Sequence, residues 1–130
     1  MVLTKKTSPL LLIILFISFT NCKKIERNCK DFHYGNFYTE TSVNGITYKS
    51  TFSRDDSNIQ IEEFEGKIDS SYVRWVNDCE MILSPIKPKK MSEKKNIFIK
   101  ILTTNDSSYA YEYSYLGESN KLKAKAIRIR

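Results

Sequence analysis

Residues 97–115 read IFIKILTTNDSSYAYEYSY. Ile97, Ile99 and Ile101 take every second position. After Asn105-Asp106-Ser107, so do Tyr109, Tyr111, Tyr113 and Tyr115. A period of two is what a strand with one buried face produces, whereas a helix needs a period near 3.6. Branched and aromatic side chains fit a pleated surface, and Asn, Asp and Ser fold back on their own backbone in tight turns. The stretch is predicted to be two adjacent antiparallel strands.

The same pattern continues on both sides. Gly117 to Asn120 turns the chain, and Lys121 to Arg130 forms a last strand with Leu122, Ala124 and Ala126 on one face. Ile127 and Ile129 fall on the opposite face, which predicts a bulge near Ala126. Lys121, Lys123 and Lys125 read as a solvated face, of the kind that protects an edge strand. Upstream, Ser84 to Lys95 holds Pro85, Pro88, Lys87, Lys89, Lys90, Lys94 and Lys95. It reads as a loop with one helical turn around Met91. Further upstream, Cys79-Met81-Leu83, Val73-Trp75, Ile59-Ile61 and Ile46-Tyr48-Phe52 each mark a strand face, and His33 to Glu40 is the first strand. Turns are expected at Asn77-Asp78, Glu65-Gly66-Lys67, Arg54 to Asn58 and Asn44-Gly45, the last a strong hairpin signal.

About eight short strands joined mainly by tight turns predict an all-β fold. The expected form is an antiparallel meander in a closed or partly open barrel of lipocalin-like or calycin-like kind. Eight strands enclose room for side chains or one small ligand.

Residues Met1 to Asn21 have the layout of a removable secretory signal. Lys5 and Lys6 lead, and Leu10 to Phe19 is apolar except for Ser18. Ten residues are too few to span a bilayer as a helix and match a signal's apolar region. Phe19-Thr20-Asn21-Cys22 resembles a bacterial lipoprotein processing site. The resemblance implies that cleavage leaves Cys22 as a lipidated N-terminus, with an ordinary secretory signal and a free Cys22 as the alternative. The expected organisation is a signal over 1–21, a tether over 22–31 carrying Cys22, and a single β domain over 32–130. Removing residues 1–21 from the 130 leaves 109, enough for one core.

Three cysteines, Cys22, Cys29 and Cys79, leave one unpaired in an oxidising compartment. With Cys22 lipidated, Cys29 and Cys79 are free to form a disulfide. Two buried thiols are the other possibility. Lys23, Lys24 and Arg27 make the tether basic, and such residues gain about 1 kcal/mol each beside anionic headgroups. The tether is expected to lie along the membrane. The whole chain carries +6. A mild basic bias bears on solubility and attraction to anionic surfaces, not on fold, and an exported chain rarely meets nucleic acid.

The tyrosine row, Tyr109, Tyr111, Tyr113 and Tyr115, is the candidate binding surface; a core-facing aromatic ladder gives the same spacing. The lysine segment and the C-terminal lysines could bind phospholipid headgroups or stand as solvated charge. Asp55 and Asp56 lack the spacing of a calcium loop and read as a turn. His33 is the single histidine, too few for a His-based zinc site or a placed triad. No catalytic residue, metal ligand or cofactor is assigned.

Phe32-His33-Tyr34-Gly35-Asn36-Phe37, Trp75 to Cys79 (Trp-x-x-Asp-Cys) and the lysine-rich segment before Ile97 to Leu102 resemble small flavobacterial-type envelope lipoproteins of unknown function. The resemblance covers most of the mature chain. In related bacteria an acidic run after the lipidated cysteine marks surface export; Lys23 and Lys24 here imply a periplasm-facing anchor. The expectation is a non-enzymatic envelope lipoprotein, held to the membrane through lipid on Cys22, with an unidentified partner. The alternatives are a lipocalin-like carrier of a small apolar ligand and an inhibitor of an envelope hydrolase.

Overall fold

Alternation leaves each strand with one apolar face, and eight such faces are buried together by rolling the sheet on itself. The computed structural model describes residues 26–130. The signal segment 1–21 and Cys22 lie outside the described residues. The strands are β1 (Gly35–Val43), β2 (Ile46–Arg54), β3 (Ile59–Phe64), β4 (Lys67–Asn77), β5 (Glu80–Pro85), β6 (Ile97–Thr104), β7 (Ser108–Tyr115) and β8 (Leu122–Arg128). They form a closed barrel in sequence order. β8 returns to β1 through the pairs Phe37–Arg128 to Glu40–Lys125. The expected all-β antiparallel meander is therefore present in its closed form.

Tight turns set the register. Asn44 and Gly45 both have positive φ, 52° and 78°, the backbone that matches strand twist in a two-residue hairpin. They place Val43 opposite Ile46 and Phe37 opposite Phe52. Inward residues then meet around the barrel: Val73 faces Leu83, Leu83 faces Ile97, and Ile99 faces Tyr113. Phe37, Met81, Ile101 and Ala126 are almost wholly buried. Burying one such large side chain contributes about 1.5–3 kcal/mol.

One end of the barrel is plugged. A 3-10 turn, Cys29–Phe32, crosses it with Cys29 and Phe32 buried. A disulfide joins Cys29 to Cys79. Residues 29–31, which the sequence assigns to the tether, are thus part of the folded domain. The opposite end is open. There the β1–β2 hairpin stands beyond its neighbours. β8 leaves β1 after Glu40, and β3 reaches only Thr51 of β2, so residues 41–49 pair with no other strand.

Two sequence expectations fail on β8. It contains no bulge: the register from Ser108–Ile127 to Tyr113–Leu122 is unbroken. The inward series Leu122, Ala124, Ala126 is continued by Arg128. Its guanidinium lies 5.1 Å from the Phe32 ring and 5.2 Å from Phe37, while Ile129 is exposed. The bulges lie instead between Trp75 and Asn77 and between Ile101 and Thr103. Nor is β8 an edge, because closure pairs it on both sides. The segment after Pro85 is the expected loop, with a 3-10 turn at Met91–Lys94.

Candidate functional site

Among the described residues, the sequence's candidates converge on the barrel's interior. Tyr109, Tyr111 and Tyr113 occupy the inward positions of β7, opposite Ala126, Ala124 and Leu122. Tyr109 and Tyr111 are buried, Tyr113 is half-buried, and Tyr115 is exposed at the mouth. The row is a ladder climbing the lumen from plug to rim, not a platform on the outer wall. Tyr109 packs 5.2 Å from Phe32 and edge-on to Phe37 at 5.7 Å. The Tyr111 hydroxyl is 3.0 Å from Thr39 Oγ1, which shares one hydrogen bond between them. Burial pushes both phenols above their ordinary range.

Beneath the row lies Arg54, which sequence reasoning placed in a turn. It is buried. Its Nε donates to the His33 carbonyl at 3.1 Å and Nη1 to Gln60 Oε1 at 2.9 Å. Nη2 donates to the Phe32 carbonyl at 2.6 Å and to the Tyr109 hydroxyl at 3.0 Å. The guanidinium also lies 5.1 Å from the centroids of both Phe37 and Phe52. Every one of these partners is neutral, so the charge is held by dipoles and ring faces. This cluster is built to hold the plug, not to react. The signal that could have found it is parity: Arg54 is two residues beyond the inward Phe52.

His33 is likewise committed to the plug. Its ring stacks on Trp75 at 3.6 Å, and Nε2–H donates to the Asp78 carbonyl at 2.7 Å. Asp55 serves its turn by accepting from the backbone N–H and hydroxyl of Ser57, which lowers its pKa. Above the plug the lumen becomes polar. Glu62 lies between Phe52 and Asp69 in the register. Burial first, and the charge of Asp69 second, raise its pKa.

The outer surface is divided by end. Connections at the plugged end carry Asp31, Asp55, Asp56, Asp78 and Asp106, with Arg27, Lys30 and Arg130 among them. Those at the open end carry Lys87, Lys89, Lys90, Lys94, Lys95 and Lys121, with Glu65, Glu93 and Glu118 among them. Lys95 pairs with Glu118 at 3.2 Å and sits 5.2 Å from the Tyr115 ring. Lys121, Lys123 and Lys125 are exposed, as their alternation predicts. Two shallow grooves of about 400 Å³ each lie over β1–β3, lined by residues such as Lys49, Thr51, Ile61 and Ile68. None of the four tyrosines of the row lines either groove.

No family model, curated protein or solved structure matches the chain. The reading of function therefore rests on the residues themselves.

Proposed function

We propose that the chain is a cell-envelope lipoprotein, a non-catalytic binding or structural barrel anchored through lipid on Cys22 and facing the periplasm. The observation that carries this reading is the way the N-terminal segment is fastened. Cys29 is bonded to Cys79, Arg27 Nη1 donates to the Ile101 carbonyl at 2.9 Å, and the Asn28 backbone N–H donates to Thr104 Oγ1 at 2.9 Å. The chain is tied into the barrel from Arg27 onward, and the five residues 22–26 can span at most about 17 Å. So short a stretch before a disulfide-locked plug suits a domain held close to its lipid. The lower lumen supports a structural use of the interior. Phe32, Phe37, Met81 and Ile101 fill it, and Thr39 and Glu62 above them are polar, which disfavours an apolar cargo.

Intact-mass analysis of the membrane fraction tests the anchor, with wild type beside Cys22→Ala. Acyl mass on the wild type and none on the variant, which should also keep residues 1–21 uncut, are expected. A wild-type chain without acyl mass would refute the reading.

A further inference from the structure

We propose that the open rim of the barrel is a docking surface for an anionic lipid bilayer. This goes beyond the anchor at Cys22 and does not depend on it.

The two ends of the barrel differ in what they expose. At the open rim, Val43 and Ile46 flank the β1–β2 turn, Leu116 and Leu122 flank the β7–β8 loop, and Met91 caps the 86–96 loop. All five are substantially exposed, Met91 at 77%. Tyr48 and Tyr115, exposed at 41% and 43%, stand just below on inward positions. Around them lie the exposed Lys87, Lys90 and Lys94. Apolar tips, a tyrosine layer beneath, and lysines whose ammonium groups reach headgroup phosphates form the depth order of a bilayer interface. An acidic protein partner would match the lysines but not the apolar tips.

The backbone supports the same reading. Residues 41–49 project beyond every neighbouring strand. A projecting hairpin with Val43 and Ile46 at its tip is costly in water, because exposed apolar fingers gain nothing there. Its inner ladder bonds are made within the pair, and the water and phosphates of the headgroup layer can meet the groups on its two outer edges. The plugged end also exposes Tyr34, Val76 and Ile129, but its turns between strands are acidic: they carry Asp55, Asp56, Asp78 and Asp106, which an anionic surface repels. Because only five residues separate Cys22 from Arg27, rim and lipid share one bilayer only with the barrel lying over towards it.

The test uses the chain from residue 22 onward with Cys22→Ser, so that neither an acyl chain nor the apolar run Leu10 to Phe19 contributes and failure of the anchor is a separate result. An environment-sensitive fluorophore is placed on Ser119→Cys at the rim or on Asp106→Cys at the plugged end. Phosphatidylcholine vesicles are added, with or without phosphatidylglycerol. The expected result is a blue shift of the rim label alone, and only with phosphatidylglycerol present. Lys87→Glu/Lys90→Glu should weaken this partitioning by about tenfold or more, since each lysine near the surface matters on the scale of RT or above. Leu116→Asp/Leu122→Asp should remove the shift while leaving the far-ultraviolet spectrum unchanged. No rim shift, an equal shift at both labels, or a rim shift that follows protein concentration without vesicles would overturn the proposal. The last would mean that a second copy covers the rim.

Discussion

Arg54 Nη2 lies 2.6 Å from the main-chain oxygen of Phe32. This contact joins the second strand to the turn that closes the barrel, 22 residues earlier in sequence. The same guanidinium holds His33, Gln60 and Tyr109. Plug and lumen therefore share one buried cation. Removing it strands several buried acceptors at once, and each costs about 1–3 kcal/mol when left unmatched.

Arg54→Met is expected to destabilise the fold by about 3 kcal/mol or more, measured by urea unfolding, on the basis of those unmatched acceptors. Arg54→Lys should rescue little. An ammonium has the charge but not the planar fork that spans Phe32, Gln60 and Tyr109 together. Full rescue by lysine would mean that the charge matters and the fork does not.

The disulfide closes the same plug from its other side. Cys29 and Cys79 are 50 residues apart, and opening a loop of that length costs about 4 kcal/mol in the chain-entropy model. The Cys29→Ala/Cys79→Ala chain should unfold at correspondingly lower urea. Hydrogen exchange should show protection lost first at residues 29–34, since the plug then rests only on non-covalent ties, those of Arg54 and Arg128 and the stacking of His33 on Trp75. Loss spread evenly over all eight strands would contradict this.

Much of the barrel is legible in the sequence because strand periodicity is a local property. Tyr109 to Tyr115 declare one shared face wherever the rest of the chain lies. Which side of the sheet that face meets is not local. Closure of β8 on β1 turns it into the lumen, and the plug decides that Tyr109 is buried while Tyr115 is exposed. Arg54 and Arg128 escaped notice for the same reason. Each is a charged residue on an inward position, tolerable only because carbonyls of the plug supply acceptors. The bulge expected at Ala126 assumed that Ile127 and Ile129 face inward, whereas Arg128 takes the inward position. The rim and its projecting hairpin depend on where β3 and β8 stop, which no stretch of β1 or β2 encodes.

Gly35 makes a sharper prediction. Its φ is 137°, and a Cβ there would lie 2.7 Å from Arg128 Nη1 and 3.2 Å from Phe37 Cζ. The guanidinium could swing away only by giving up its bonds to the carbonyls of Tyr34 and Asp31. Gly35→Ala is expected to cost about 1–3 kcal/mol from backbone strain alone. Gly35→Ala combined with Arg128→Ala should cost less than the sum of the two, because the clash is then relieved. Strict additivity in a double-mutant cycle would show that the two do not meet.

Glu62 gives the fold a pH dependence whose sign can be worked out. Burial, then the charge of Asp69, holds its folded pKa above the ordinary 4.5. Below 4.5 the carboxyl is neutral in both folded and unfolded chains, and its favourable contribution is complete. As pH rises past that point the unfolded chain releases its proton while the folded chain still holds one. Stability from this group is therefore lost as pH climbs through the folded value, and stays lost above it. Glu62→Gln, neutral at every pH, should raise Tm relative to wild type at pH 7 and make no difference below pH 4.5. Asp69→Asn should give a smaller gain in the same direction, because it removes the repelling charge and leaves the burial. Thermal melts of the three chains across this range check both statements. A Glu62→Gln chain less stable than wild type at pH 7 would mean that the carboxylate is held by a partner within the lumen.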